Sequence, residues 1–76
     1  RNLEKKPKVF VKAEDIIRIQ SKLAQFGYGI ETTAKYDERT NFVSMAFQRH
    51  FRPSKITAQF DEECEFILDN LLIYLN

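Results

Sequence analysis

Six aromatic, amide and cationic residues near the first loop and the end of the second predicted helix have the chemistry of a binding site. An aromatic ring offers a platform, an amide donates and accepts hydrogen bonds, and a guanidinium pairs with a carboxylate. The candidate ligand-binding residues are Tyr28, Tyr36, Gln48, Arg49, His50 and Arg52. Structural alternatives stay open: Tyr28, Gln48 and a hydrogen-bonded His50 fit a core role, and both arginines complement a helix dipole.

Residues that could hold a metal or perform catalysis are few in this sequence. His50 is the only histidine and Cys64 the only cysteine, whereas a catalytic zinc usually takes three protein ligands and a structural zinc four. No Ser-His-Asp set can be argued from spacing, and there is no glycine-rich phosphate loop. We therefore predict no catalytic residues and no metal site in this chain, and we expect Cys64 to be a buried core residue.

Length and charge restrict the class of protein. The 76 residues predict one small domain, and the net charge of +1 lacks the overall basicity of a nucleic-acid binder. Basic residues concentrate in residues 1–12, and residues 57–76 are acidic with no Lys or Arg. No apolar run approaches the ~18 residues of a transmembrane helix, and no signal peptide is visible.

The beginning of the chain is polar and rich in lysine. Because it starts at Arg1 rather than Met, we expect a fragment of a larger protein, with a linker over residues 1–12 and a globular domain over residues 13–76. The alternative function for the lysine cluster is attraction to an anionic surface.

The second predicted helix has clear start and end signals. Asp37 is a good N-cap, because its carboxylate can accept from backbone N–H groups two or three residues further on. Pro53 ends the helix, because it has no N–H to donate. The apolar stripe, at i, i+3, i+4 and i+7 spacing, is Val43, Ala46, Phe47, and His50 or Phe51.

The same periodicity predicts two further helices, so the fold class is all-α. The first runs from about Ala13 to Phe26, without a clear N-cap, and stops at Gly27, which is free to take positive φ. Gln20 lies on its apolar stripe, and we expect the amide to hydrogen-bond a loop backbone. The third helix covers about residues 62–74 and is capped by Asp61. Its predicted stripe is Phe66, Ile67, Leu71 and Leu75, widened by Leu68, Leu72 and Ile73.

A seven-residue pattern occurs twice, and each copy opens a helix. Residues 34–40 read Ala-Lys-Tyr-Asp-Glu-Arg-Thr, and residues 58–64, which lie 24 positions further on, read Ala-Gln-Phe-Asp-Glu-Glu-Cys. Such an echo indicates repeated loop–helix units that cannot bury their faces alone. We therefore predict a compact three-helix bundle with two pseudo-repeated units, in which Ile30 and Ile56 insert from the loops into the core.

Several short motifs, in this order, resemble the peptidoglycan-binding domain found beside bacterial cell-wall hydrolases. They cover about residues 14–75 and are Gln20-x-x-Leu23, Gly27-Tyr28, Tyr36-Asp37-x-x-Thr40, Phe47-Gln48 and Phe60-Asp61. The run from Met45 to Pro53 is most similar to the C-terminal domain of AmiD-like N-acetylmuramoyl-L-alanine amidases of Gram-negative bacteria. The resemblance implies a three-helix bundle with two loop–helix units, in agreement with the echo.

The chain departs from that family at its turns. The family usually has glycine at position 34 and an Asp-Gly pair near 57 and 58, where this chain has Ala34, Thr57 and Ala58. Glycine at such a turn normally supplies positive φ, so alanine implies a changed turn or strain. The Thr that usually follows the second Asp is replaced by Cys64.

The resemblance implies a non-catalytic module that binds peptidoglycan glycan strands or stem peptides in the bacterial cell envelope, in the periplasm of a Gram-negative species. Its attached amidase would hold zinc in a separate catalytic domain. A second hypothesis is a docking domain that packs on its own catalytic domain, or on an envelope protein, through the third helix. A helix-turn-helix DNA binder is a weaker alternative, because the third helix is acidic.

Overall fold

Three helices of equal length make up the domain. The computed structural model describes residues 8–75, with α1 at Ala13–Phe26, α2 at Glu38–Phe51 and α3 at Glu62–Leu75. The only β-type pairing in this range is an isolated antiparallel bridge between Val9 and Asp61. The predicted all-α three-helix bundle is confirmed, and the predicted helix bounds agree to within one residue.

Local signals account for the helix ends. The Asp37 carboxylate accepts from the Thr40 backbone N–H at 2.9 Å, and α2 ends at Phe51, two residues before Pro53. Helix α1 begins after Lys12 without a side-chain cap and stops at Gly27, which has φ 126°. Two of its last carbonyls are satisfied there: the Gly27 N–H donates to Leu23 O and Ala24 O, and the Tyr28 N–H donates to Leu23 O.

The core lies where the inner stripes of the three helices meet. The fully buried apolar cluster is Ile19, Leu23, Val43, Phe47, Phe60, Cys64 and Leu68, with Leu72 at its margin. The Phe47 and Phe60 rings pack with centroids 5.3 Å apart. Ile30 packs against this cluster, as predicted, and Cys64 is buried, as predicted.

Two predictions about buried positions are wrong. Ile56 is 44% exposed, and the second loop fills the core with Phe60 instead. On α3 the buried positions are Cys64, Leu68 and Leu72, spaced four apart, while Phe66 is 69% exposed. Phe66 lies about 200° around the helix from Cys64, since each residue turns the helix by about 100°. The predicted stripe is therefore wrong at Phe66, and the predicted members Ile73 and Leu75 are likewise exposed.

Gln20 clamps the first loop as predicted. Its Oε1 accepts from the N–H groups of Thr33 and Ala34 at 2.9 and 3.1 Å, and its Nε2 donates to Lys35 O at 2.9 Å. The Nε2 also donates to Thr40 Oγ1 at 2.9 Å. The side chain is fully buried, and every polar atom has a partner, as a buried amide requires.

Gln48 repeats this clamp on the second loop. Its Oε1 accepts from the N–H groups of Thr57 and Ala58 at 2.8 and 2.9 Å, and its Nε2 donates to Gln59 O at 2.8 Å. The Nε2 also lies 3.5 Å from Cys64 Sγ, the position that corresponds to Thr40. The sequence echo therefore corresponds to two equivalent hydrogen-bonded loops.

The two alanines in these loops adopt the left-handed conformation. Ala34 has φ 68° and Ala58 has φ 67°. Of the two expected consequences of alanine at these turns, the structure has the strained one, because each alanine takes a positive φ that glycine prefers.

Residues 8–10 of the predicted linker pack on the domain. Lys8 O accepts from the Glu62 N–H at 3.0 Å, and Phe10 packs against the core cluster. The Arg18 guanidinium lies over the Phe10 ring, 5.2 Å from its centroid. The part of the predicted linker before Lys8 lies outside the described residues.

An ion-pair network joins α1 to α3, the helix pair with the most extensive contact. Glu65 accepts from Arg18 Nε at 2.7 Å and from Lys22 Nζ at 2.8 Å, and Lys22 also pairs with Asp69. Burial would raise the pKa of Glu65, but its two cationic partners together hold it below its usual value.

Candidate functional site

The six sequence-predicted ligand residues fall into two groups. Tyr36, Gln48 and Arg52 direct their polar atoms into the domain, whereas Tyr28, Arg49 and His50 are at least partly exposed near the ends of α1 and α2. The structure therefore does not bring all six together at one site.

Tyr36 joins the two loops. Its hydroxyl lies 2.7 Å from both Ser44 Oγ and Ala58 O, and it accepts from the Phe60 N–H at 2.8 Å. Burial raises the pKa of Tyr36, while its hydrogen bonds with Ser44 and Phe60 act in the opposite direction. With Gln48 fully engaged in its loop clamp, neither side chain offers a free polar group to a ligand.

Arg52 is buried and paired within the domain. Its Nη1 donates to both Asp61 carboxylate oxygens, at 2.9 and 3.1 Å, and to Glu63 Oε1 at 2.9 Å, while Nε donates to Lys55 O. Burial would raise the pKa of Asp61, but the hydrogen bond from Arg52 and the Cys64 N–H lower it overall. Arg52 thus neutralises the N-cap of α3 and is not placed to receive a carboxylate from a ligand.

Two of the three exposed candidates, Tyr28 and His50, border an aromatic groove. Its volume is about 400 Å³, and it is open to solvent. We call it the aromatic groove and define it by its lining residues, which are Phe26, Gly27, Tyr28, Ala46, His50 and Phe51. Its size falls within the usual range of about 300–1,000 Å³ for small-molecule sites.

The ends of α1 and α2 position the rings of the aromatic groove. The Phe26 and Phe51 centroids are 5.7 Å apart in an edge-to-face arrangement, and Phe26 and Tyr28 are 5.9 Å apart with planes tilted by 34°. His50 meets Phe51 edge-on at 4.5 Å. Positive φ at Gly27 turns the chain so that Tyr28 returns to the last turn of α1, and this return places its ring beside Phe26.

The structural alternative for His50, a hydrogen-bonded core role, does not hold. His50 is exposed, while Phe51 packs against the core. Adjacent helical positions differ by about 100°, and at this end of α2 the inward side is that of Phe51. Arg49 is also exposed on α2 but does not line the aromatic groove.

Electrostatically, the aromatic groove has no fixed charge in its lining. None of the six residues that form it is a carboxylate, lysine or arginine. Burial raises the pKa of Tyr28, which keeps its phenol protonated as a hydrogen-bond donor. The groove can therefore hold a ligand with an apolar face and hydrogen-bonding edges.

Sequence reasoning missed four lining residues, namely Phe26, Gly27, Ala46 and Phe51. A signal was available, because α1 and α2 both end in phenylalanine and Gly27-Tyr28 follows the first of them. The sequence did not show that these two helix ends meet, because the packing of the helices decides this.

Metal ligands do not assemble in the part of the chain that the structure describes. Over residues 8–75, no group of three or more His, Cys, Asp and Glu side chains could hold a metal ion. His50 is exposed at the aromatic groove and Cys64 is buried in the core, so the residues present do not fit a zinc site. In the same range, no helix has the length and apolar character needed to cross a bilayer.

Comparisons with family models, with curated proteins and with solved structures find no match to this chain.

Proposed function

We propose that this chain is a non-catalytic peptidoglycan-binding module that targets an attached N-acetylmuramoyl-L-alanine amidase to murein in the bacterial cell envelope, in the periplasm of a Gram-negative species. The observation that carries the proposal is the aromatic groove, where Tyr28 and His50 lie beside Phe26 and Phe51. An open cleft of aromatic rings with polar edges is suited to a polymer that offers both apolar faces and hydroxyl or amide groups.

The residues that carry the family resemblance have structural roles that support it. Gln20 and Gln48 clamp the two loops, Asp37 and Asp61 cap the two following helices, and Tyr36 bridges the loops. Motif residues of this kind support a shared framework. Ligand contacts would then come from surface residues that this framework positions.

Targeting is the proposed mechanism. A weak binding module tethered to an enzyme raises the local concentration of wall polymer near the active site, without new chemistry. Zinc chemistry would belong to the attached catalytic domain.

The test is cosedimentation of the 76-residue chain with purified sacculi, at low and moderate salt. We expect saturable binding that persists at moderate salt and is weakened by Tyr28→Ala and by His50→Ala. Tyr74→Ala is the matched control, because Tyr74 is 88% exposed and lies outside the aromatic groove. Binding that disappears with salt and ignores both groove variants would contradict the proposal, since the lysine-rich beginning of the chain would then explain it.

A second candidate function is docking on the attached catalytic domain through α3. Phe66 and Ile73, seven residues apart and on one side of the helix, are 69% and 70% exposed. We expect Phe66→Ser to separate the two hypotheses in the amidase-linked protein. A docking role predicts equal loss of activity on soluble muropeptides and on sacculi, whereas a targeting role predicts little change on either.

A further inference from the structure

We infer that the aromatic groove binds the glycan strand of peptidoglycan, through an uncharged N-acetylhexosamine ring, and not the stem peptide. This inference rests on the proposed function and specifies which part of the polymer is recognised.

The first reason is charge. Stem peptides carry carboxylates, and a carboxylate that leaves water needs a cation or several hydrogen-bond donors. The lining of the aromatic groove has no Lys or Arg. Arg52, the nearest buried cation in sequence, already pairs with Asp61 and Glu63 at 2.9 Å each. A charged peptide terminus would therefore find no lysine or arginine in the lining to pair with.

The second reason is shape. A pyranose ring has a face of C–H groups and an edge of hydroxyl and acetamido groups. Phe26 and Tyr28 present two rings tilted by only 34° to each other, which gives the apolar face a platform. The Tyr28 hydroxyl and the His50 ring nitrogens supply donors and acceptors for the edge.

The third reason is access. The aromatic groove is open to solvent along the surface between the ends of α1 and α2. A polymer can therefore place one sugar in it while the strand continues on both sides. A closed pocket would admit only a chain end.

The experiment is an NMR titration of the ¹⁵N-labelled 76-residue chain with two probes. One is an oligosaccharide of β-1,4-linked N-acetylglucosamine, and the other is a free stem peptide with its carboxylates. We expect the oligosaccharide to shift the amide signals of Gly27, Tyr28 and Ala46, and we expect the peptide to leave them unchanged. Tyr28→Ala should weaken oligosaccharide binding about tenfold, from the loss of one stacking ring.

Two further variants keep the test decisive. His50→Ala removes an exposed side chain and should fold normally while weakening binding, and Tyr74→Ala should bind like the unmodified chain. Each variant is first checked for the helical circular dichroism of the parent chain.

The outcomes separate this inference from the proposed function. Groove shifts with the stem peptide and none with the oligosaccharide would overturn the inference while leaving peptidoglycan binding in place. Oligosaccharide shifts outside the aromatic groove would also overturn it. Sacculus binding that depends on Tyr28, with no response to the oligosaccharide, counts against the glycan as ligand. A chain that binds neither sacculi, nor the oligosaccharide, nor the stem peptide would overturn both proposals.

Discussion

Replacing the two left-handed alanines by glycine should stabilise this domain. Ala34 and Ala58 have φ of 68° and 67°. Each is held there because its N–H donates to a buried glutamine, at 3.1 Å to Gln20 Oε1 and at 2.9 Å to Gln48 Oε1. Neither loop can relax to negative φ without breaking its clamp, so the strain persists in the folded state.

The magnitude follows from two opposing terms. A residue with a Cβ loses about 1–2 kcal/mol in the left-handed region, and Ala→Gly removes that cost. Glycine gains more conformational freedom in the unfolded chain, which offsets about 0.5–1 kcal/mol. Each of Ala34→Gly and Ala58→Gly should therefore raise the free energy of unfolding by about 0.5–1 kcal/mol. For a domain of this size, 1 kcal/mol corresponds to a rise in Tm of about 4–8 °C.

The assay is urea unfolding followed by circular dichroism, with single variants and the double variant compared. Ala24→Gly is the matched control, because Ala24 is exposed within α1, where glycine should cost about 1 kcal/mol. Opposite signs for the loop and helix substitutions are the expected result. If both loop variants lose stability as the helix control does, the turns are not left-handed, and the strain argument fails.

Three further predictions concern the hydrogen-bonded framework. Gln48→Ala should lower the free energy of unfolding by about 2–4 kcal/mol in the same urea assay, because it leaves loop N–H groups without partners. The control is Gln25→Ala at an exposed position, which should change the free energy of unfolding by less than about 0.5 kcal/mol. Equal effects of the two substitutions would contradict the clamp. Cys64→Thr should keep or raise stability, because Thr40 at the equivalent position donates to its capping aspartate at 2.7 Å; a large loss would show that the two units are not equivalent there. The pKa of Asp61 is lowered in the folded state, because its arginine partner and a backbone N–H outweigh burial. The stability that Asp61 contributes is therefore present above the unfolded pKa of about 3.9 and is lost as pH falls through the folded pKa. Unfolding midpoints measured between about pH 6 and pH 2 should fall less steeply in Asp61→Asn than in the parent chain, and parallel curves would contradict the assignment of this effect to Asp61.

The sequence by itself determined the helices and their ends. The Asp37 cap, the stop at Pro53 and the positive φ at Gly27 depend on contacts within three or four residues. Such contacts form in any fold that contains the segment. The role of Gln20 was also predictable, because a polar side chain on an apolar stripe must find partners. The 24-residue echo predicted the two loop–helix units, because residues 34–40 and 58–64 repeat the same turn and cap pattern.

Part of the candidate site was predictable, and part was not. The sequence identified Tyr28 and His50 as residues with binding chemistry near the right helix ends. It also suggested Arg52 as a cation for a ligand, but the folded chain places that side chain against Asp61, nine positions away. The C-terminal end of α2 and the N-terminal end of α3 meet there, and the Arg52 guanidinium neutralises the Asp61 carboxylate.

Only the tertiary structure decided which apolar residues are buried and which rings form the groove. Phe66 and Ile56 are as apolar as their buried neighbours, yet they are exposed because α3 and the second loop each have one orientation in which Cys64, Leu68 and Phe60 fill the core. Phe26 and Phe51 lie 25 residues apart in sequence, and their rings meet because α1 and α2 end at the same side of the bundle. The hydrophobic effect is not directional. The local sequence pattern therefore determines where helices form, and the packing of the three helices determines which face of each remains exposed.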